Sequence, residues 1–250
     1  MEKVSPNGVE RQAISPCGVE RQEIALCFSG HLRNYDQVKE NLLKNLITPL
    51  QESGWDVSLF GSTWEQSEFR GGDGSLVIAD QYPEFKSLVV EPEARQYFIS
   101  TYSTDKWKEY SHLSGPQTCP DSVSMWYKVW SSFQLVKQAD VVMRLRFDMI
   151  FDTPFDLSEL EDLDDDTIFI PRWHGKYYEI GRGMMDQFAF GTYKAMKQYS
   201  SVFPCIKEVF QSGVPHTGEG FMVHQLKSMK VKRSNVSFSL QRKESMEKFV

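Results

Sequence analysis

The chain has 250 residues, of which 40% are hydrophobic and 13% aromatic, and it carries a formal net charge of -6. This length and composition suit one large globular domain and exclude a disordered chain. The negative charge argues against general nucleic-acid binding, because such binding needs a positive field around the phosphates.

Membrane and redox signals are weak. No apolar run is long enough to cross a bilayer, and the N-terminus lacks the pattern of a signal peptide. The four cysteines lie far apart and form no C-x-x-C pair, which favours reduced thiols over disulfides or a zinc site. The sequence therefore predicts a cytoplasmic protein.

A short duplication marks the N-terminus. The segment VSPNGVERQ, which starts at residue 4, is followed by ISPCGVERQ, which starts at residue 14. Two copies are too few for a stacked repeat, and Pro, Gly and charged residues dominate both. We therefore expect a flexible leader over residues 1–23, followed by a single domain over residues 24–250.

The domain opens with a strand–helix–strand pattern. Residues 24–30 and 55–63 are apolar and strand-like, and apolar residues keep helical spacing over 38–53. Gly54 is the helix stop signal, and Pro49 predicts a kink or a late break. A βαβ unit of this length predicts two parallel strands joined by a right-handed crossover.

The middle of the chain predicts one more strand and a long helix. Residues 86–91 are typical of a strand, whereas residues 92–120 indicate no single state. Over residues 122–138 an aromatic and apolar stripe at helical spacing predicts a buried helix, with Ser122 or Ser124 as its N-cap.

The C-terminal half alternates between charged connections and short elements. The acidic stretch 156–166 predicts a solvated connection before a strand at 167–171. A helix follows over about 192–200, and Thr217 is a suitable cap for a further helix. The tail from Lys227 onward is basic and is expected to end in a short strand.

Residues 140–151, DVVMRLRFDMIF, predict a buried strand with a charged face. Alternation along a strand places Met143, Leu145 and Phe147 on one face and Arg144, Arg146 and Asp148 on the other. Such a face is either a structural ion-pair network or an anion or metal-phosphate site at the carboxyl end of the strand. We favour the second, because buried charges are rare without pairing or purpose.

A second group of candidate ligand-binding residues follows the first strand. Gly30 would let the backbone approach a ligand, and His31 and Arg33 could contact a base or a diphosphate. If the strands containing these residues and Arg144 are parallel neighbours, their arginines meet at one sheet edge. Arginines together with one carboxylate, Asp148, suit a nucleoside diphosphate with a divalent cation.

Two further carboxylates are candidates for catalysis. Glu219 lies between two glycines at a predicted helix start, where it either stabilises the helix terminus or acts as a general base. Asp186 also lies near glycines and, with Gln187, suits the recognition of sugar hydroxyls.

Five short motifs resemble one enzyme family. They are FSGHLR at residue 28, DVSLFGST at 56, RLRFD at 144, DQFAFG at 186 and GEG at 218. In this order, over roughly residues 24–233, they resemble the small GT-A-type glycosyltransferases of polysaccharide and lipopolysaccharide biosynthesis. The resemblance implies a Rossmann-like, mostly parallel central sheet flanked by helices, which binds a nucleotide sugar.

The resemblance also assigns roles to residues. It implies that Gly30, His31, Arg33 and Thr63 line the nucleotide pocket, that Asp186 meets the acceptor and that Glu219 is the base. Family members often hold Mn²⁺ or Mg²⁺ with an Asp-x-Asp motif, but the matching triplet here is Arg146-Phe147-Asp148. Either Arg146 replaces part of the cation's charge, or Asp148 alone binds the metal with the diphosphate.

The sequence thus predicts a glycosyltransferase that moves a sugar from a UDP- or GDP-type donor to a glycan hydroxyl in surface polysaccharide or glycan synthesis. The alternative is a non-catalytic nucleotide- or glycan-binding module of the same fold, which the incomplete Asp-x-Asp triplet favours. A peripheral membrane contact of the basic tail is a weaker expectation than a solvated surface.

Overall fold

The computed structural model describes residues 22–67, 75–104, 118–171, 184–241 and 246–248. The predicted leader lies outside the described residues as far as residue 21. The strands are β1 (Glu23–Ser29), β2 (Asp56–Trp64), β3 (Phe85–Glu91), β4 (Val141–Leu145), β5 (Met149–Phe151), β6 (Thr167–Pro171), β7 (Ala189–Thr192), β8 (Lys230–Ser234), β9 (Phe238–Gln241) and β10 (Met246–Lys248). The helices are α1 (Tyr35–Leu42), α2 (Thr48–Glu52), α3 (Arg95–Tyr102), α4 (Cys119–Gln134), α5 (Tyr193–Ser200), α6 (Ile206–Gln211) and α7 (Gly218–Gln225).

Within the described residues, seven strands form a central sheet in the order β3-β2-β1-β4-β7-β6-β8. Strand β1 pairs in parallel with β2 and β4, and the β2–β3 and β6–β8 pairs are also parallel. Strand β7 runs antiparallel to both of its neighbours. A second sheet, in the order β10-β9-β5, is antiparallel. The predicted α/β class with a mostly parallel central sheet is confirmed.

Helices cover both faces of the sheet, as alternation along the central strands requires. On β1, Leu26 and Phe28 pack into a cluster with α1 and α2, whereas Ala25 and Cys27 pack into a cluster with α4, α5 and α7. Because both faces are covered, β1 and β4 are buried almost throughout. No helix in the described ranges combines the length and apolarity that a bilayer span needs.

The prediction of one strand over residues 140–151 is wrong. Strand β4 ends at Leu145, and the chain turns through Phe147 and Asp148 into β5, which belongs to the second sheet. The side chain of Asn41 on α1 bonds the backbone of Phe151 on both sides, at 2.8 and 3.0 Å, and so fixes β5 away from the central sheet.

The predicted helix over 38–53 is present but is not regular. It begins at Tyr35 and widens into a π-helical turn at Leu43–Ile47 before α2. Pro49 has no N–H to offer the carbonyl of Asn45, and this carbonyl accepts instead from the backbone N–H of Phe155 at 2.8 Å. The proline thus creates the acceptor that ties the segment after β5 to the helix.

The N-cap of α7 agrees with prediction, whereas that of α4 differs. Thr217 caps α7 as predicted, with its Oγ1 accepting from the N–H of Gly220 at 3.1 Å. Helix α4 begins earlier than predicted, because Thr118 and Asp121 form a capping box that replaces the expected serine cap.

Candidate active site

The candidate site lies at the edge where β1 and β4 both end, because parallel neighbours present their carboxyl ends together. Gly30 and Arg33 follow β1 in left-handed backbone conformations, with φ of 110° and 49°. Since β7 runs the other way and its first residue, Ala189, pairs with Arg144, the segment that contains Asp186 reaches the same edge. The fold therefore gathers the predicted residues from three distant parts of the sequence.

Asp148 joins two of the predicted arginines. Its carboxylate accepts from Nε and Nη2 of Arg146 at 2.8 and 2.9 Å and from Nη1 of Arg33 at 2.8 Å. The Asp148 side chain is 1% exposed, whereas those of Arg33 and Arg146 are 20% and 17% exposed. The carboxylate is thus buried behind the two guanidinium groups that it holds.

Arg144 is the third arginine of the site, and its guanidinium has no hydrogen-bond partner in the described part of the chain. The residue is 1% exposed, and Nε, Nη1 and Nη2 are all buried and unpaired. Burial lowers the pKa of Arg144, while the nearby Tyr199 and Asp186 oppose this effect. An arginine stays charged in a protein. Within the described residues this buried cation therefore lacks the hydrogen-bond partners that burial of a charge normally demands.

Asp186 and Glu219 form a close carboxyl pair beside Arg144. A Cβ on Gly218 would collide with Oδ2 of Asp186, so only glycine lets the start of α7 approach this carboxylate. The backbone on both sides is fixed, since Tyr199 donates to the carbonyl of Asp186 at 3.1 Å and Trp126 donates to that of Gly218 at 3.0 Å.

Glu219 is mostly protonated at neutral pH. Burial, followed by the charge of Asp186, raises the pKa of Glu219 to about 8, against the opposing hydrogen bonds from its own backbone N–H and Thr217. Burial raises the pKa of Asp186, and the nearby charges of Arg144 and Arg146 oppose this effect. Glu219 is the more exposed of the two carboxyl groups.

The raised pKa of Glu219 predicts that the stability of the protein depends on pH. An unfolded glutamate titrates near 4.5, so the folded state binds the Glu219 proton more tightly, and the resulting stabilisation is lost as the pH rises from about 4.5 to about 8. We expect the free energy of unfolding of the wild type, relative to Glu219→Gln, to fall by about 1–3 kcal/mol between pH 5 and pH 9. Urea unfolding across this range measures it, and a difference that does not change with pH would contradict the raised pKa.

His31 and Thr63 occupy the neighbouring part of the edge but do not form an open pocket wall. Nδ1 of His31 lies 3.1 Å from the carbonyl of Gln66, and burial, aided by Arg33, lowers its pKa to about 4, so the ring is neutral. Thr63 is fully buried, and its carbonyl accepts from Nζ of Lys128 at 2.7 Å. Thr63 therefore belongs to the buried packing behind the site.

Lys128 is a charged residue of this region that the sequence analysis did not single out. Its ammonium is fully buried, bonds Oε2 of Glu91 at 2.6 Å and lies 3.7 Å above the ring of Trp64. Burial lowers its pKa to about 8. Lys128 lies off the apolar stripe of the helix predicted over 122–138, so helical spacing gave no sign of its burial.

The divalent cation implied by the resemblance does not fit these residues. Both oxygens of Asp148 already accept from guanidinium groups. Two unit charges 4 Å apart repel by about 4 kcal/mol at an effective dielectric constant of 20, and a dication would double this for each arginine. The described residues also contain no group of three or more His, Cys, Asp or Glu side chains arranged to hold a metal.

The described residues form an α/β protein in which three arginines lie near the carboxyl ends of β1 and β4. No protein-family model and no curated protein sequence matches the chain. Solved structures with a similar fold include an active-site mutant of LgtC, at 8% identity and a TM-score of 0.49, covering 86% of this chain and 73% of that one. Mouse xyloside xylosyltransferase 1, in its apo form, matches at 11% identity and a TM-score of 0.44, covering 86% and 85%.

The glycosyltransferase GlyE of Streptococcus pneumoniae TIGR4, also in its apo form, matches at 11% identity and a TM-score of 0.40, covering 85% of this chain and 45% of that one. All three are glycosyltransferases, the class that the sequence motifs resemble. Because the identities are low and the TM-scores lie below 0.5, the chemistry of this chain has to be inferred from its own residues.

Proposed function

We propose that the protein is a glycosyltransferase that moves a sugar from a nucleoside diphosphate donor to a glycan hydroxyl. The observation that supports it best is the buried guanidinium of Arg144, which has no hydrogen-bond partner in the described residues and lies near Arg146. In the described residues the carboxylate of Asp148 bonds Arg33 and Arg146, and no carboxylate bonds Arg144. A diphosphate supplies the missing negative charge and the acceptor oxygens that guanidinium groups bind best.

In the proposed reaction the bond between the anomeric carbon and the diphosphate oxygen breaks, and its electron pair leaves with the diphosphate. The arginines stabilise the charge that develops on this oxygen, and such electrostatic stabilisation is usually the largest catalytic contribution. Since Asp148 holds Arg33 and Arg146 in place before the donor arrives, these two side chains need little reorganisation when the charge develops.

Glu219 takes the proton of the acceptor hydroxyl as this oxygen attacks the anomeric carbon. It must be ionised to do so, and with a pKa of about 8 only about a tenth of the molecules are ready at pH 7. Asp186 is more deeply buried, and in this scheme it adds to the effect of burial on the pKa of Glu219 and faces the acceptor.

The same proposal includes a UDP- or GDP-type donor, one catalytic domain over residues 24–250, and a cytoplasmic role in surface polysaccharide or glycan synthesis. His31, Gly30 and the buried Thr63 would form the nucleotide side of the site. The neutral ring of His31 adds no charge there, so it suits contact with a base better than contact with a phosphate.

A panel of UDP- and GDP-sugars tests the proposal on the full-length protein. At least one donor should raise the melting temperature by several degrees at saturating concentration and should be hydrolysed slowly to the free nucleoside diphosphate. Stabilisation without hydrolysis, and without transfer to any glycan, would favour the non-catalytic binding module. No response to any donor would contradict both functions.

A further inference from the structure

We infer that Arg33 and Arg146, linked through Asp148, bind the donor diphosphate in place of a divalent metal ion. This inference rests on the proposed function and concerns how its leaving group is held. The evidence is the arrangement of the charges. The carboxylate of Asp148 is buried, and the two guanidinium groups that bond it are partly exposed. In a metal site the carboxylates would face the ion and the ion would face the phosphates.

The geometry leaves Arg146 able to bind a second anion. It uses Nε and one N–H of Nη2 on Asp148, as a bidentate fork. A guanidinium has five N–H groups, and no hydrogen bond within the described ranges uses Nη1 of Arg146. Burial alone would lower the pKa of Arg146, but the charge and hydrogen bonds of Asp148 raise this pKa above the usual value. The Arg146 guanidinium therefore stays positively charged.

The arginine pair is rigid without an ion. The backbone carbonyl of Asp148 accepts from the N–H of Gln241 at 2.8 Å, and Asn41 fixes Phe151 a few residues further on. The carboxylate of Asp148 in turn holds both guanidinium groups. A metal ion usually provides this orientation, and here hydrogen bonds from α1 and β9 provide it.

The direct test compares nucleotide binding by the full-length wild type in EDTA and in excess Mg²⁺ or Mn²⁺, with UDP and GDP as probes in calorimetry. We expect the Kd for the bound nucleotide to agree within about threefold between the two conditions, and donor hydrolysis to continue in EDTA. Binding that occurs only with a divalent ion would overturn the inference and leave the proposed function intact. Failure to bind either nucleotide under both conditions would overturn the proposed function together with this inference.

Three substitutions sharpen the test. Arg146→Met should weaken nucleotide binding in EDTA by about tenfold or more, whereas Lys194→Met, which alters an exposed ion pair with Asp165, should not change it. Arg146→Asp supplies a second carboxylate and should abolish binding in EDTA but recover part of it with Mn²⁺. Wild-type affinity for Arg146→Met, with circular dichroism confirming a folded protein, would overturn the inference.

Discussion

Replacing Glu219 by Gln should reduce the rate of sugar transfer by about a hundredfold or more while leaving donor affinity within about threefold of wild type. The amide keeps the size of the side chain but cannot take a proton. The effect should therefore fall on kcat for the acceptor reaction, and binding of the nucleoside diphosphate should change little. Initial rates with saturating donor, together with calorimetry, measure the two quantities separately.

The pH profile of the wild type provides an independent check on Glu219. Because its pKa is raised to about 8, kcat/KM should increase about tenfold per pH unit below this value and then level off. Glu208→Gln on α6 is the matched control, since Glu208 is exposed and outside the site, and it should keep the wild-type rate and profile. If Glu219→Gln retained full activity, the base would have to be another group, with Asp186 the next to test.

The sequence predicted the charged edge because its evidence is local. Arg144 lies at the carboxyl end of β4 and Arg146 follows that end directly, and parallel pairing of β1 with β4 brings Arg33 to the same edge. The turn after β4, and not alternation along one strand, positions Arg146 and Asp148. Their role in catalysis remains a proposal.

What the sequence did not reveal depends on contacts between distant segments. The break between β4 and β5 is enforced by Asn41, about 110 residues away from Phe151, and no local propensity announces it. The pairing of Asp186 with Glu219 likewise depends on how closely Gly218 lets α7 approach. The sequence suggested each carboxylate singly, but the effect of Asp186 on the pKa of Glu219 arises only once the chain has folded.

The buried Lys128 shows a different limit of sequence analysis. Periodicity identified its helix as core, and the surrounding aromatic residues justified that assignment. The lysine is accommodated because Glu91 and the carbonyl of Thr63 accept its protons and Trp64 packs against its charge. None of these partners is adjacent in sequence, so a buried cation could not be distinguished from a surface lysine.

Arg144→Met should produce changes of opposite sign in stability and in binding. Without ligand, we expect the variant to be more stable than wild type by about 1–3 kcal/mol, because it removes a buried charge whose donors are unpaired in the described structure. Nucleotide affinity should fall by about a hundredfold, since the same unpaired donors are proposed to bind the diphosphate. Urea unfolding of the ligand-free protein and calorimetry with UDP and GDP measure the two effects.

Arg146→Met is the matched control, because the same substitution two residues away meets a different environment. The guanidinium of Arg146 bonds both oxygens of Asp148, so its removal leaves a buried carboxylate with fewer partners and should destabilise the protein. Both variants should weaken nucleotide binding, but only Arg144→Met should gain stability. A destabilised Arg144→Met with unchanged nucleotide affinity would mean that Arg144 serves the fold through Asp186 and Tyr199. Arg33 and Arg146 would then have to bind the diphosphate without Arg144.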